Sequence, residues 1–325
     1  MGETMRDAFG KKLASLGSTR KDLVVLDADV SSSTKSNYFA KAFPDRFFNV
    51  GVAEANMVDV AGGLATAGFH PVVNAFAIFL ALKGTDQIRN VLAYNSLPVV
   101  LAGAYGGLSD SFDGASHHSI ADIAIMRAIP GLKVIVPSDA AEAELALEYA
   151  LGCKGPVYIR LNRNDSPILP AREAAQEAAR EMAQGTAGGA GAGIEKIRVL
   201  RTGKDVTIAA AGLCVSMGLE AAQKLAEKGI DAEVLDVATI KPLDASALAA
   251  SVRKTGKLVT AEEGTVVGGL AGACAEALSE LGISYKLSRV GVQDCFTESG
   301  PYAAILAKYG ISAAEIASRA AGLAT

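Results

Sequence analysis

The sequence has no tryptophan, only 6% aromatic residues, three histidines and four cysteines among 325 residues. Cys153, Cys214, Cys274 and Cys295 include no CxxC pair, which excludes a zinc knuckle and a dense disulfide framework; they read as buried free thiols. His70, His117 and His118 are too few for a histidine-rich metal centre. A cationic excess is missing too: 31 basic against 35 acidic residues leave a net charge of −4, so the chain has no general field for gathering nucleic acid. The longest apolar runs, such as Leu97 to Gly103, fall well short of the ~20 residues needed to cross a bilayer. Its first residues lack the secretory pattern of charge followed by a long apolar core. The expectation is a cytoplasmic protein that binds neither nucleic acid nor membrane. What the chain does have is apolar residues, 50% of the total and mostly aliphatic, enough for about two domains at ~150 residues each.

Short apolar runs alternate with helical patterns. Lys21 to Asp27, Pro71 to Ala75, Pro98 to Ala102, Leu132 to Val136 and Gly155 to Arg160 read as strands, with helices at Ala53 to Gly68, Asp86 to Leu92 and Ala140 to Leu151. Continuous apolar strands separated by helices predict a mostly parallel sheet covered on both faces. From Ala171 to Met182 the composition is helix-forming, and Gly185 to Gly193 reads as a flexible connector. Alternation then resumes, with strands expected at Asp205 to Ala210, Asp231 to Asp236, Gly256 to Thr260 and Ser284 to Ser288. The fold class is therefore α/β, two three-layer α/β/α domains, with residues 1–184 as the first, 185–197 as connector and 198–325 as the second. No Walker motif is present, and no GxGxxG follows a first strand, so a phosphorylated cofactor would need its phosphates anchored elsewhere.

Four local features suggest chemistry. Glu54 opens a helix within Asn49-Val-Gly-Val-Ala-Glu-Ala-Asn56; it reads either as an acid favoured by the helix dipole or as a semi-buried acid for a ring nitrogen. Phe76 and Phe79 lie three apart, able to pack a core or flank a planar ligand. The loop Ala104 to His118 follows a strand, where parallel α/β sheets bind ligands, and carries Asp113, His117 and His118. Arg6, Arg160 and Arg163 could offer a planar fork to a phosphate if the strand ends converge, although Arg160 and Arg163 are not expected to enter one pocket.

These pieces, taken in order, resemble the transketolase family: Asp27-Ala-Asp-Val-Ser-Ser-Ser-Thr34, Gly51-Val-Ala-Glu-Ala-Asn-Met57, Asn74-Ala-Phe-Ala-Ile-Phe79, Asp113-Gly-Ala-Ser-His117, Val136-Pro-Ser-Asp139, Ile240-Lys-Pro-Leu-Asp244 and Thr297-Glu-Ser-Gly300. The whole chain looks like the C-terminal subunit of a split transketolase, a pyrimidine-binding domain followed by the family's C-terminal domain. The resemblance implies thiamine diphosphate as cofactor, with Glu54 on its pyrimidine N1′ and Phe76 and Phe79 enclosing that ring. It implies Asp113 and His117 at the sugar hydroxyls, His117 exchanging protons, and Arg6, Ser33 and Arg163 at the sugar's terminal phosphate. Tyr105 stands where many family members have a histidine, which points to an altered sugar range; His118 matches no family catalytic residue and reads as structural or as a rim residue. No metal ligand is expected here: Mg²⁺ and the diphosphate fall to an N-terminal partner subunit, in an α2β2 heterotetramer. Competing readings are the β subunit of a 2-oxo acid dehydrogenase E1 component, the synthase that joins pyruvate to glyceraldehyde 3-phosphate, and a non-enzymatic interaction module. Asp113, His117 and Arg163 favour ketol transfer between sugar phosphates.

Overall fold

The computed structural model describes residues 3–165, 167, 169 and 193–324; the expected helix at 171–182 and most of the glycine-rich connector lie outside them. The first sheet has seven strands in the order β10-β5-β6-β4-β3-β1-β2. These are β1 Leu23–Asp27, β2 Phe47–Asn49, β3 His70–Phe76, β4 Val100–Ala104, β5 Lys133–Ile135, β6 Val157–Arg160 and β10 Thr239–Lys241. A second sheet runs β12-β11-β8-β9-β7, from β7 Arg198–Arg201, β8 Val206–Ala210, β9 Ala232–Asp236, β11 Lys257–Thr265 and β12 Lys286–Val292. Every residue of β1 and β4 is buried, as expected of strands covered on both faces.

β1, β3, β4 and β6 are mutually parallel neighbours, so the segments leaving their C-terminal ends emerge side by side. β4 begins two residues later than expected. Its register pairs Val72 with Val100, and Pro98, lacking an N–H for the ladder, stays outside. The helical pattern expected over Asp86 to Leu92 is a short α-turn at Thr85–Gln87 followed by a π-helix at Ile88–Ala93. The uniform burial expected of the cysteines is also corrected: Cys214 and Cys274 are buried, Cys153 is partly buried and Cys295 is exposed, because the last lies in the loop after β12 rather than on a core face.

The two domains interlock. β10, from the second half of the chain, pairs antiparallel with β5 of the first sheet, and Val136 N–H donates to the Ala238 carbonyl at 2.7 Å. Arg160 is the deepest joint. Its Nε donates to Asp122 Oδ2 at 2.9 Å, while Nη2 donates to the Ser119 and Glu263 carbonyls at 2.7 Å each. Gly106 must be glycine, since a Cβ there would lie 2.6 Å from Arg160 Cγ.

Glu263, on β11, reaches into the same joint. Oε1 accepts from Leu108 N–H at 2.8 Å and Oε2 from Asn162 Nδ2 at 2.8 Å. Burial nevertheless pushes its carboxyl up to about 7, with Arg160, Tyr302 and these donors acting the other way. An acid that ionises at higher pH when folded stabilises the fold below its unfolded pKa, and that contribution is lost as pH rises from about 4.5 to about 7. The difference in unfolding free energy between wild type and Glu263→Gln should therefore fall across that window, as followed by denaturant titration at several pH values. A pH-independent difference would show that Glu263 is ionised at no such cost.

Candidate functional site

Each edge of the site is set by a strand end. At the end of β1, buried Asp27 accepts from Val30 N–H at 2.6 Å and from Thr34 Oγ1 and Ser36 Oγ at 2.8 Å each. These bonds fix the turn at Ser31–Thr34, whose Ser33 carbonyl accepts from Arg6 Nη1 at 2.8 Å. Arg6 lies in the first turn of the helix Met5–Thr19, which Thr4 caps by accepting from Asp7 N–H at 3.1 Å. Burial raises the Asp27 pKa while the three donors oppose it, an acid used to build a turn.

The helix Glu54–Thr66 starts after Gly51, whose φ of +76° favours glycine. This start leaves Glu54 buried at 4% exposure. Lys83 Nζ lies 3.2 and 3.1 Å from its two carboxylate oxygens and 4.1 Å from the centre of the Phe79 ring. Phe76 ends β3 and Phe79 sits in the following helix, Ala77–Lys83; their ring centres are 6.0 Å apart. Both are half-buried, so they line a surface rather than fill the core. The sequence reading missed Lys83, although its spacing of four from Phe79 puts both on one helix face.

Tyr105 is the first residue after β4 and adopts a left-handed backbone, φ 60°, followed by Gly107 at φ 67°. That reversal folds its ring under the site. The Tyr105 ring centre is 4.5 Å from that of Phe76, its Oη accepts from Arg6 Nη1 at 2.8 Å, and the Arg6 and Arg163 guanidinium carbons lie 5.2 and 4.9 Å from the ring centre. Arg163 donates from Nη1 to Asp110 Oδ1 at 2.8 Å. The His117 ring is 5.1 Å from Phe79 and 6.3 Å from Phe76, and its Nδ1 is 3.0 Å from Ser116 Oγ. Carboxylate oxygens of Asp110 and Asp113 and a ring nitrogen of His117 all lie within 4.8 Å of one another. Asp110 was also missed: it stands in the loop the sequence singled out, but only folding turns it toward Arg163.

The structure thus brings Glu54, Phe76, Phe79, Tyr105, Asp113, His117, Arg6, Ser33 and Arg163 to one end of the first sheet. Arg160 goes elsewhere. β6 ends at Arg160, Leu161 still bonds to Gly103 and Gly106, and one arginine enters the domain joint while the other reaches the mouth of the site. His118 is buried, with Nδ1 2.5 Å from Thr297 Oγ1 of the second domain, and burial holds it below the usual histidine range. Gly300 N–H donates to the Ser111 carbonyl at 2.9 Å, so the second domain holds the loop that presents Asp113 and His117.

A buried carboxylate beside two half-exposed aromatic rings suits a flat, nitrogen-bearing heterocycle; the arginines and hydroxyls beyond suit a polyhydroxylated chain with a polar or anionic end. The family model for the transketolase pyrimidine-binding domain matches residues 2–167, and that for the transketolase C-terminal domain matches residues 195–316. A putative transketolase C-terminal section from Methanocaldococcus jannaschii is 40% identical over 315 residues, 97% of this chain and 94% of that protein. A 6-deoxy-6-sulfo-D-fructose transketolase subunit from Clostridium sp. is 40% identical over 96% of this chain and 92% of its own. A 1-deoxy-D-xylulose-5-phosphate synthase from Geobacter sulfurreducens is 36% identical, but the chain covers only 46% of it. Among solved structures, a split-gene transketolase in an inactive β4 tetramer superposes with a TM-score of 0.87 at 41% identity, covering 99% of both chains.

Proposed function

This chain belongs to the transketolase family of thiamine diphosphate-dependent transferases, matching its separate C-terminal subunits end to end, and on that premise we propose that it serves two-carbon ketol transfer from a ketose to an aldose. The observation that carries the reading is the convergence of the Glu54 and phenylalanine wall with the His117 loop and the Arg6, Tyr105 and Arg163 cluster. Thiamine diphosphate, when bound, supplies the carbanion-stabilising centre. Glu54 holds a proton at the pyrimidine ring nitrogen, and Phe76 and Phe79 shield that ring from water. His117, whose imidazole can both donate and accept, exchanges a proton with the sugar, and Asp113 orients a hydroxyl. Arg6, Ser33 and Arg163 hold the end of the sugar remote from the reacting carbon. Mg²⁺ and the diphosphate belong to an N-terminal partner subunit, in an α2β2 assembly.

End-to-end matching to separate C-terminal chains supports the split-subunit reading over the longer synthases, of which this chain spans less than half. Mixing the chain with its N-terminal counterpart, thiamine diphosphate, Mg²⁺, a ketose and an aldose is expected to give two-carbon transfer, read by product analysis. Equal activity from this chain alone would overturn the division of labour. Decarboxylation of a 2-oxo acid supplied in place of the ketose, with no ketol transfer from the ketose, would replace the reaction.

A further inference from the structure

Within the ketol-transfer reading, on which this inference rests, the remote end of the sugar meets an unusual charge balance. Arg163 is 38% exposed, while its partner Asp110 is 1% exposed and lies behind it. The contact between them, Nη1 to Oδ1 at 2.8 Å, engages one terminal nitrogen of the guanidinium. Among the described residues Asp110 Oδ2 is buried without a hydrogen-bond partner, and Asp113 and His117 stand close to the same carboxylate. A buried carboxylate is poorly screened by water, so its field persists at the mouth of the site.

Arg6 is committed in a similar way. Its Nη1 donates to both the Ser33 carbonyl and Tyr105 Oη, and among the described residues the buried Nε has no partner. The two guanidinium groups, Arg6 and Arg163, and the two carboxylates, Asp110 and Asp113, sum to no net formal charge. Donors remain for hydrogen bonds, since each guanidinium carries five N–H groups. A phosphate dianion would leave two uncompensated negative charges here, one of the less favourable ligands for such a cluster. A monoanion leaves one, and a hydroxyl none.

We propose that Asp110 is a specificity-determining residue: by neutralising Arg163 from within, it selects sugars whose remote end carries at most a single negative charge over those ending in a phosphate dianion. Burial, joined by the neighbouring Asp113, raises the pKa of Asp110, while Arg163 and His117 act the other way.

The test uses the complex assembled with the N-terminal subunit and cofactor, with fructose 6-phosphate and its 6-sulfonate counterpart as donors at a pH where phosphate is doubly ionised. The sulfonate is expected to be favoured in kcat/KM by at least ten-fold. Asp110→Asn, isosteric and still able to accept from Arg163, should shift the ratio at least ten-fold toward phosphate, and Asp110→Val should shift it in the same direction. A wild-type preference for phosphate overturns the assignment. So does a ratio unchanged by both variants, or a loss of phosphate use in them, which would make Asp110 an orienting group for a phosphate-binding arginine. Binding of the corresponding hexitol 6-phosphate and 6-sulfonate, read as protection of the complex against thermal unfolding, is measured alongside. These ligands have no ketone, so their affinity ratio decides the role of Asp110 even if neither ketose is turned over, an outcome that would sink the ketol-transfer reading alone.

Discussion

Glu54→Gln is expected to slow exchange of the cofactor C2 proton in the assembled complex by roughly 10²–10⁴-fold, the usual contribution of a positioned acid or base. The amide keeps the shape of the carboxylate and can still accept from Lys83, so the helix Glu54–Thr66 and the aromatic wall should survive. What it loses is the ability to hold and release a proton at a ring nitrogen. If Glu54 served only as a favourable charge at a helix start, the substitution would cost about 0.3–1 kcal/mol of stability and leave exchange untouched. Hydrogen-deuterium exchange followed by NMR, with assembly verified by sedimentation, separates the two. Wild-type exchange in a correctly assembled variant removes Glu54 from cofactor activation.

The second large effect concerns stability. Arg160→Ala should destabilise the chain by about 3–5 kcal/mol, because it leaves Asp122, fully buried, facing a void with its charge uncompensated. The Ser119 and Glu263 carbonyls lose their donor in the same stroke. A companion Asp122→Asn change should recover part of the loss, since it removes the stranded charge. Urea unfolding monitored by circular dichroism gives the comparison. A shift below about 0.5 kcal/mol for the single variant would mean that water reaches Asp122, and that the joint between domains does not depend on this pair.

The assignment of the two arginines shows where sequence reasoning stops. Both belong to a short stretch after an apolar run, and both were candidates for an anion. In the structure Arg160 is buried against Asp122 in the domain joint, whereas Arg163 is partly exposed beside Tyr105 and Asp110. Cysteine burial holds for Cys214 and Cys274 and fails for Cys153 and Cys295, because composition carries no information about which residues fall in loops.

Periodicity and order carried the rest. Apolar runs of four to six residues, spaced by helical patterns, required parallel strands with covered faces, because only continuous burial accounts for strands without polar alternation. The ordered motifs, from Asp27-Ala-Asp to Thr297-Glu-Ser-Gly300, were enough to point to the family, and the placement of Glu54 at a helix start followed from its local sequence. Tertiary structure alone decided what each charged group faces. Lys83 meets Glu54, Asp110 meets Arg163, and Thr239–Lys241 crosses into the first sheet. Such contacts join residues 29, 53 and more than 100 positions apart, and are set by strand order and by the left-handed turn at Tyr105. Local propensity fixes which segments become strands and helices; the pairing of charges between their ends depends on how the sheets close against each other, and no short-range pattern encodes that.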